Sequence, residues 1–488
     1  MMKFSSQFTL FFATLACIFS WIQPVHGQTI SGIVTTSDQK KLLQAASTSS
    51  SFASGSGSAD ITIDETKVYQ QMVGFGGSIT DSAAKAMNDL KNADSDKYNS
   101  YLKETFTTKG AALNYLRVPI GASDFSYKSY SLDDTSGDTS FKSFKIDNAP
   151  SYLFSVLKDI VAVNKYAKIH ILPWSPPAWM KDNNSMNGGS LKSGMIDAYP
   201  TYLLKAVQAF KAKNLPVVAI SIQNEPENSN SNYPSCKMSA SDMATIGKSL
   251  RSLLDKNDLK DIKVVGYEHN WDNAASYPVT VVQDAQDAFD AVAFHCYGGN
   301  VNETQQFHSK YPNKAMYLTE CTGTTGSDFW TDMQWYVNNL FTAQNTATGM
   351  MWLLASADNG KATYPGSDSC GNGCRGVSTV TTSKVTPNQE YYTMAHYARA
   401  FISDDGSTLG KRIEVSGGDG LNVVGYVTGD RYSLVVMNAN GAADKTISFQ
   451  GRQVKYSFPT GLTTLWWTTS DSSSSNSNSK RMMKKRRV

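Results

Sequence analysis

The stretch Val217 to Glu227, VVAISIQNEPE, decides how the rest of the chain is read. Its first half is a short apolar run rich in β-branched residues. Its second half breaks into Gln223, Asn224, Glu225, Pro226 and Glu227. That is the pattern of a strand buried on both faces that ends at a polar mouth. Pro226 stops the strand where the carboxylate appears. In a closed barrel of parallel strands the reacting groups sit at the C-terminal strand ends, which puts Asn224 and Glu225 at the rim of a cleft. Taken alone, the tripeptide reads equally well as a surface loop with a solvated Glu225, so the neighbouring segments decide.

From Val73 onward, short apolar strands alternate with helix-length segments. Eight strand candidates can be marked: VGFGGSIT from 73, LNYLRVPI from 113, KIHILPWS from 168, VVAISIQ from 217, KVVGYEHN from 263, DAVAFHCYG from 290, AMYLTEC from 315 and GMMWLLA from 349. Between them lie amphipathic stretches such as Tyr152 to Asn164, Tyr199 to Lys213, Met243 to Leu254 and Asp328 to Gln344. An open doubly wound sheet is the competing architecture. However, no G-x-G-x-x-G follows the first strand, and Gly74-Phe75-Gly76-Gly77 leads into a polar turn rather than a phosphate-binding helix. The fold class expected is α/β, a (β/α)8 TIM barrel. A last helix, Asn388 to Phe401, leads into alternating strands at 412–415, 421–427, 432–438, 446–449 and 462–468. These read as an attached antiparallel β-sandwich domain, which the strand-like pieces at 30–34 and 61–63 would join. The expected division is 28–72 and 404–470 for the sandwich and 73–403 for the barrel.

Both ends differ from this body. The first 27 residues carry Lys3, an apolar run from Phe8 to Ile22 and a V-H-G ending at Gly27, as a secretory signal does. The run is too short to span a bilayer, so no transmembrane segment is expected. Residues 471–488 form a Ser/Asn-rich tail ending in KRMMKKRRV, without apolar periodicity, and are expected to be disordered. From Ser472 on, the tail holds six of the 45 basic residues and no acidic one, which leaves a body slightly acidic against its 42 Asp and Glu. A nucleic-acid partner is therefore excluded. Weak contact of the tail with anionic surfaces is the partner reading it allows, beside a merely solvated charge run. We expect a monomer that is secreted, extracellular or in the cell wall, and two glycosylation sequons, at Asn183 and Asn302, fit that route.

The strand ends collect one kind of chemistry. Strand two ends in Arg117 and runs on to Asp124; strand three gives Trp174; strand four gives Asn224 and Glu225; strand six gives His295 and Tyr297; strand seven gives Glu320; strand eight gives Trp352. Two carboxylates on different strands, among aromatic platforms and hydrogen-bonding groups, are what glycosidic bond cleavage requires. No phosphate-binding loop, Cys-His nucleophile or G-x-S-x-G elbow competes, and no cofactor or metal is called for. Structural roles stand beside these readings: Arg117 as an ion-pair partner of Asp124, Trp174 and Trp352 as a roof over the barrel core, His295 as a core histidine. Glu320 has the weakest structural reading, because a charge ending the apolar run AMYLT needs a reason.

The segments GFGGSITDSAA, LRVPIGASDFS, LPWSPPAWMK, SIQNEPE, HCYGG and YLTEC follow one another in the order and spacing of the glucosylceramidase family, glycoside hydrolase family thirty, which the chain resembles from Val73 to Val380. The resemblance implies a retaining β-glycosidase with Glu225 as acid/base and Glu320 as nucleophile. It implies that Asn224 contacts the sugar 2-hydroxyl, that Tyr297 supports the nucleophile, and that Arg117, Asp124, Trp174, His295 and Trp352 line the glucose subsite. Leu353 departs from the asparagine usual after the last tryptophan. CGNGCRGV, from Cys370, resembles the secreted fungal-type members that cut β-1,6-glucan, whereas animal members cut glucosylceramide. A β-glucan or β-glucoside is thus the expected substrate, with the glucan preferred; a non-catalytic glycan-binding wall protein is the reading from another class.

Two further expectations follow. Cys296 and Cys321 end neighbouring strands, about 4.8 Å apart, within disulfide reach. We expect them bonded, Cys370 joined to Cys374, and Cys236 free. Glu225 is expected to carry a raised pKa from the second carboxylate, and Glu320 to stay ionised.

Overall fold

The computed structural model describes residues 28–47, 51–324, 328–342, 345–357 and 374–469; the N-terminal apolar run, Cys17, Cys370 and the basic tail lie outside them. Each of the eight strand candidates is a strand of one parallel sheet. They are β1 Gly74–Ser78, β2 Tyr115–Pro119, β3 Lys168–Leu172, β4 Val217–Ser221, β5 Lys263–Asn270, β6 Ala291–His295, β7 Ala315–Glu320 and β8 Thr348–Met351. The hydrogen-bonded order is β7-β6-β5-β4-β3-β2-β1-β8. The ring closes where Ala347 N donates to Met316 O at 2.8 Å and Trp352 N donates to Cys321 O at 2.7 Å.

The strands form because nearly every residue in them is buried on one face or the other. β2 reads YLRVP with all five positions buried. Leu116 and Val118 point outward to the helices, while Tyr115 and Arg117 take the alternate, inner positions. Gly76 in β1 lets β2 approach, since a Cβ there would sit 1.7 Å from Tyr115 O. Low in the barrel the interior is filled by small residues, Ala219, Ala291, Ala293 and Ala347 with Val265 and Tyr317. The rings of Tyr115, His170 and Tyr317 pack edge to face there. The helices seat a buried stripe against the outside; Ala240–Lys256, for example, is capped by the Ser239 hydroxyl and buries Met243, Ile246, Leu250 and Leu254.

Strands from both ends of the chain make a second, eleven-stranded sheet. Ile61–Gln71 pairs antiparallel with Lys411–Gly417, and Ser31–Thr36 with Gly461–Thr468. One pairing, Ala443–Phe449 on Ile61–Gln71, is parallel. The sheet folds over itself, for Tyr432 and Phe449, which lie far apart in its strand order, have ring centroids 4.7 Å apart. Phe52 meets Trp467 at 5.1 Å in the same sandwich core. A strand the sequence reading passed over, Arg452–Phe458, completes it; its apolar side chains alternate with polar ones just past the turn at Gln450-Gly451. His396, on the helix Gln389–Phe401, joins barrel to sandwich through Thr35 Oγ1 at 3.0 Å and Thr464 Oγ1 at 2.8 Å.

Cys296 and Cys321 are disulfide-bonded, with Cα atoms 5.2 Å apart, and Cys236 is free and buried. Cys374 is also disulfide-bonded; the expected partner, Cys370, lies outside the described residues. The Cys296–Cys321 bridge closes a loop of 25 residues. Its removal by a double Cys→Ala substitution is expected to cost about 3 kcal/mol, on the loop-entropy scale. Urea unfolding of the variant checks this, and an unchanged midpoint would refute it.

Candidate active site

Two backbone irregularities aim the inner side chains at the barrel mouth. Strict alternation from inward-facing Val265 would place Glu268 on the outer face of β5. Instead β5 carries a bulge between Tyr267 and His269, with Tyr267 at φ +71° and Glu268 at +61°. The extra residue turns the tyrosine out to the helix layer and the glutamate in. A second register shift lies opposite Phe294 and His295 on β7, so that Thr319 and Glu320 both reach the interior. Glu225, just beyond β4, holds φ +44°, and its amide donates to Glu268 O at 2.9 Å.

The result is a charged layer across the mouth. Arg117, fully buried, donates from Nη1 to Glu320 Oε2 at 2.5 Å, and from Nη2 to Asn224 Oδ1 at 2.6 Å and Glu268 Oε2 at 3.0 Å. Its guanidinium lies 4.8 Å from the Trp174 ring centroid, and Trp174 stacks on Trp352 at 4.8 Å. Tyr297 Oη donates to the other oxygen of Glu320 at 3.0 Å. His295 spans the three carboxylates: Nδ1 is 3.1 Å from Glu225 Oε1 and 4.0 Å from Glu320 Oε1, and Nε2 is 3.2 Å from Glu268 Oε2. The Glu225 and Glu320 carboxylates are thus no further apart than the two legs to one ring nitrogen laid end to end.

Above this layer opens a cleft of about 570 Å³ lined by seven of the nine site residues read from the sequence: Asp124, Trp174, Asn224, Glu225, Tyr297, Glu320 and Trp352. Arg117 and His295 lie beneath it, against the carboxylates. Arg117 bonds to Glu268 and Glu320, so the Asp124 pairing entertained for it is not the arrangement found. The sequence reading missed Glu268, His269, Asn228 and Tyr233. Glu268 ends the apolar run KVVGY as Glu320 ends AMYLT, a signal that was there to use. Asn228 donates to Glu225 Oε2 at 3.0 Å and to Tyr233 Oη at 3.1 Å.

The charges are distributed unevenly. Burial works to raise Glu268, but Arg117 and the imidazoles of His295 and His170 outweigh it and hold the carboxyl well below its ordinary range. Burial likewise opposes charge on His295, yet Glu320, Glu225 and Glu268 lift it to about 9. Burial raises Glu320, and His295 and Arg117 only partly offset that. For Glu225 burial is overcome by the neighbouring imidazoles of His269, at 3.6 Å, and His295, at 3.1 Å, which hold it well below its usual value. The expectation of a raised Glu225 is therefore corrected: the imidazoles beside it outweigh the effect of the second carboxylate.

Residues 72–354 match the model of the glycosyl hydrolase family 30 TIM-barrel domain. An endo-1,6-β-D-glucanase of Neurospora crassa is 33% identical over 407 residues, covering 78% of this chain and 81% of the relative. The solved structure of an endo-β-1,6-glucanase superimposes with TM-score 0.81 at 27% identity, covering 91% of this chain and all of the other. A putative glucosylceramidase of Caenorhabditis elegans is 25% identical over 286 residues, covering 56% of this chain and 54% of the relative. With the barrel matched along its length, the chain belongs to glycosyl hydrolase family 30, a family of glycosidases.

Proposed function

We propose that this chain is a retaining endo-β-1,6-glucanase, with Glu320 as nucleophile and Glu225 as acid/base. The observation that carries the mechanism is the pair of carboxylates from β4 and β7 brought to one nitrogen of His295. Both Glu320 oxygens are held by donors, Arg117 and Tyr297, which fixes the carboxylate for attack on an anomeric carbon. The leaving oxygen takes its proton from the His295–Glu225 pair, and after departure Glu225 accepts a proton from the water that releases the sugar. Asn224, anchored by Arg117, lies beside this reaction centre and contacts the sugar 2-hydroxyl. Asp124, Trp174 and Trp352 shape the inner subsite. In this reading the barrel, 73–403, is the catalytic unit, and the sandwich is built from 28–72 with 404–470.

The substrate choice rests on the relatives: the glucanases match most of this chain, the glucosylceramidase about half of it. The N-terminal apolar run and the exposed sequon asparagines, Asn183 and Asn302, support an extracellular location. No helix among the described residues is long and apolar enough to cross a membrane. Incubating the protein in parallel with a pustulan-type β-1,6-glucan and with glucosylceramide tests the choice. Oligosaccharide release from the glucan is expected, and glucosylceramide turnover with an inert glucan would overturn it. Release of aryl alcohol from an aryl β-glucoside separates an enzyme from a glycan-binding protein.

The pH profile carries its own signature. Glu320 must be ionised to attack, and its raised pKa puts the acid limb of kcat/KM above the ordinary glutamate value of about 4.3. The proton of the His295–Glu225 pair is lost as pH rises through about 9, which sets the alkaline limb. A profile on a β-1,6-linked oligosaccharide checks both, and an alkaline limb below neutrality would place the proton elsewhere.

A further inference from the structure

We propose that Glu225, His269 and His295 form a binding site for a zinc-class transition metal, and that occupancy of this site inhibits the enzyme. Binding stands on geometry alone; inhibition rests on the role proposed for Glu225. Among the described residues these three are the one group of His, Cys, Asp or Glu side chains whose donor atoms all lie within 4.8 Å of one another. Glu225 Oε1 is 3.1 Å from His295 Nδ1 and 3.6 Å from His269 Nδ1. A tetrahedral zinc ion with bonds of about 2.0–2.1 Å has ligand-to-ligand edges of about 3.3–3.4 Å. Two edges of the triangle already bracket that length, and the third lies within 4.8 Å.

Three further features favour a metal. His269 Nδ1 is buried, with no hydrogen-bond partner among the described residues. It faces Glu225 Oε1 at 3.6 Å, a gap that an ion bound to both atoms would fill. Next, His295 Nε2 faces Glu268 Oε2 at 3.2 Å, so the far side of this ligand is braced by a carboxylate, the arrangement that orients zinc-bound imidazoles elsewhere. Finally, Glu225, Glu268 and Glu320 set three carboxylates around Arg117 and the imidazoles, which favours a further cation.

The site exists because of the β5 bulge, which brings His269 to the cleft wall beside Glu225. Three protein ligands leave the fourth position open toward the cleft, where a water completes the shell. A bound ion occupies Glu225 Oε1 and His295 Nδ1, so the leaving group can no longer be protonated from this pair. Inhibition should therefore be competitive with substrate and reversible by a chelator.

The experiment uses the full chain, freed of metal with EDTA. Isothermal titration with ZnCl2, without substrate, is expected to give one ion per chain. Titration with Co2+ should give the intense visible absorption of a four-coordinate site, which a hydrated surface ion lacks. His269→Gln is expected to weaken zinc binding at least tenfold and to raise the zinc concentration for half-inhibition of aryl β-glucoside cleavage by a similar factor. A thermal melt confirms that the variant is folded. Zinc binding left unchanged in His269→Gln, or no binding in the wild type, overturns the proposal whatever the enzymatic activity proves to be. Binding without loss of activity would retain the site and remove its inhibitory role.

Discussion

Replacing Glu320 by alanine is expected to lower kcat by on the order of 10⁵–10⁶, as loss of a catalytic nucleophile does, on every β-glucoside tested. Both steps of the proposed reaction pass through this carboxylate, which Arg117 and Tyr297 hold by its two oxygens. Glu225→Ala should behave differently. A poorly leaving sugar needs the proton, so glucan cleavage should fall by roughly 10²–10⁴, while an activated aryl glucoside still forms the glycosyl-enzyme. Azide should then speed turnover of Glu225→Ala and yield the β-glucosyl azide. Any azide product of Glu320→Ala should be the α-anomer, because azide enters from the vacated face. Reversed anomers would exchange the two roles.

The second large effect concerns Glu268, which lies beneath the cleft and is expected to touch no substrate. Its carboxylate receives Arg117 Nη2, Ser221 Oγ at 2.6 Å and Thr319 Oγ1 at 2.8 Å, and it faces His295 Nε2. Removing one partner of a buried ionic network leaves the others unpaired, at a cost of about 3–5 kcal/mol. Glu268→Ala is therefore expected to destabilise the protein by that amount in urea unfolding. It should also reduce kcat more than it raises KM, because Arg117 and His295 lose the group that orients them toward Glu320 and Glu225. Glu268→Gln, which keeps the shape and part of the hydrogen bonding, should recover much of the stability and less of the activity. A Glu268→Ala variant with wild-type stability and kcat would mean that the network does not position the site.

The barrel was legible because each strand is buried on both faces and ends abruptly in a polar residue, as VVAISIQNEPE does. Arg117, Asn224, Glu225, His295 and Glu320 could be picked out one by one on that rule. Glu268 escaped because the strand KVVGYEHN runs on for five residues past Val265, and only the bulge at Tyr267 decides which way its glutamate points. Such a bulge depends on pairing between strands, which a single segment does not reveal. The ionisation of Glu225 escaped for a related reason. The sequence shows two carboxylates that ought to repel, but not the imidazole that fits between them. In the sandwich, Ala443–Phe449 looks like any antiparallel strand, and its parallel pairing with Ile61–Gln71 follows from how distant segments meet.

The central claim is that Glu225 and Glu320 act in succession on opposite sides of one anomeric carbon. It is tested most directly by proton NMR of the first sugar released from a β-1,6-linked gluco-oligosaccharide, recorded before mutarotation. The account predicts that the β-anomer forms first and the α-anomer grows in later at the uncatalysed rate. An α-anomer appearing first would mean direct displacement by water and would contradict it.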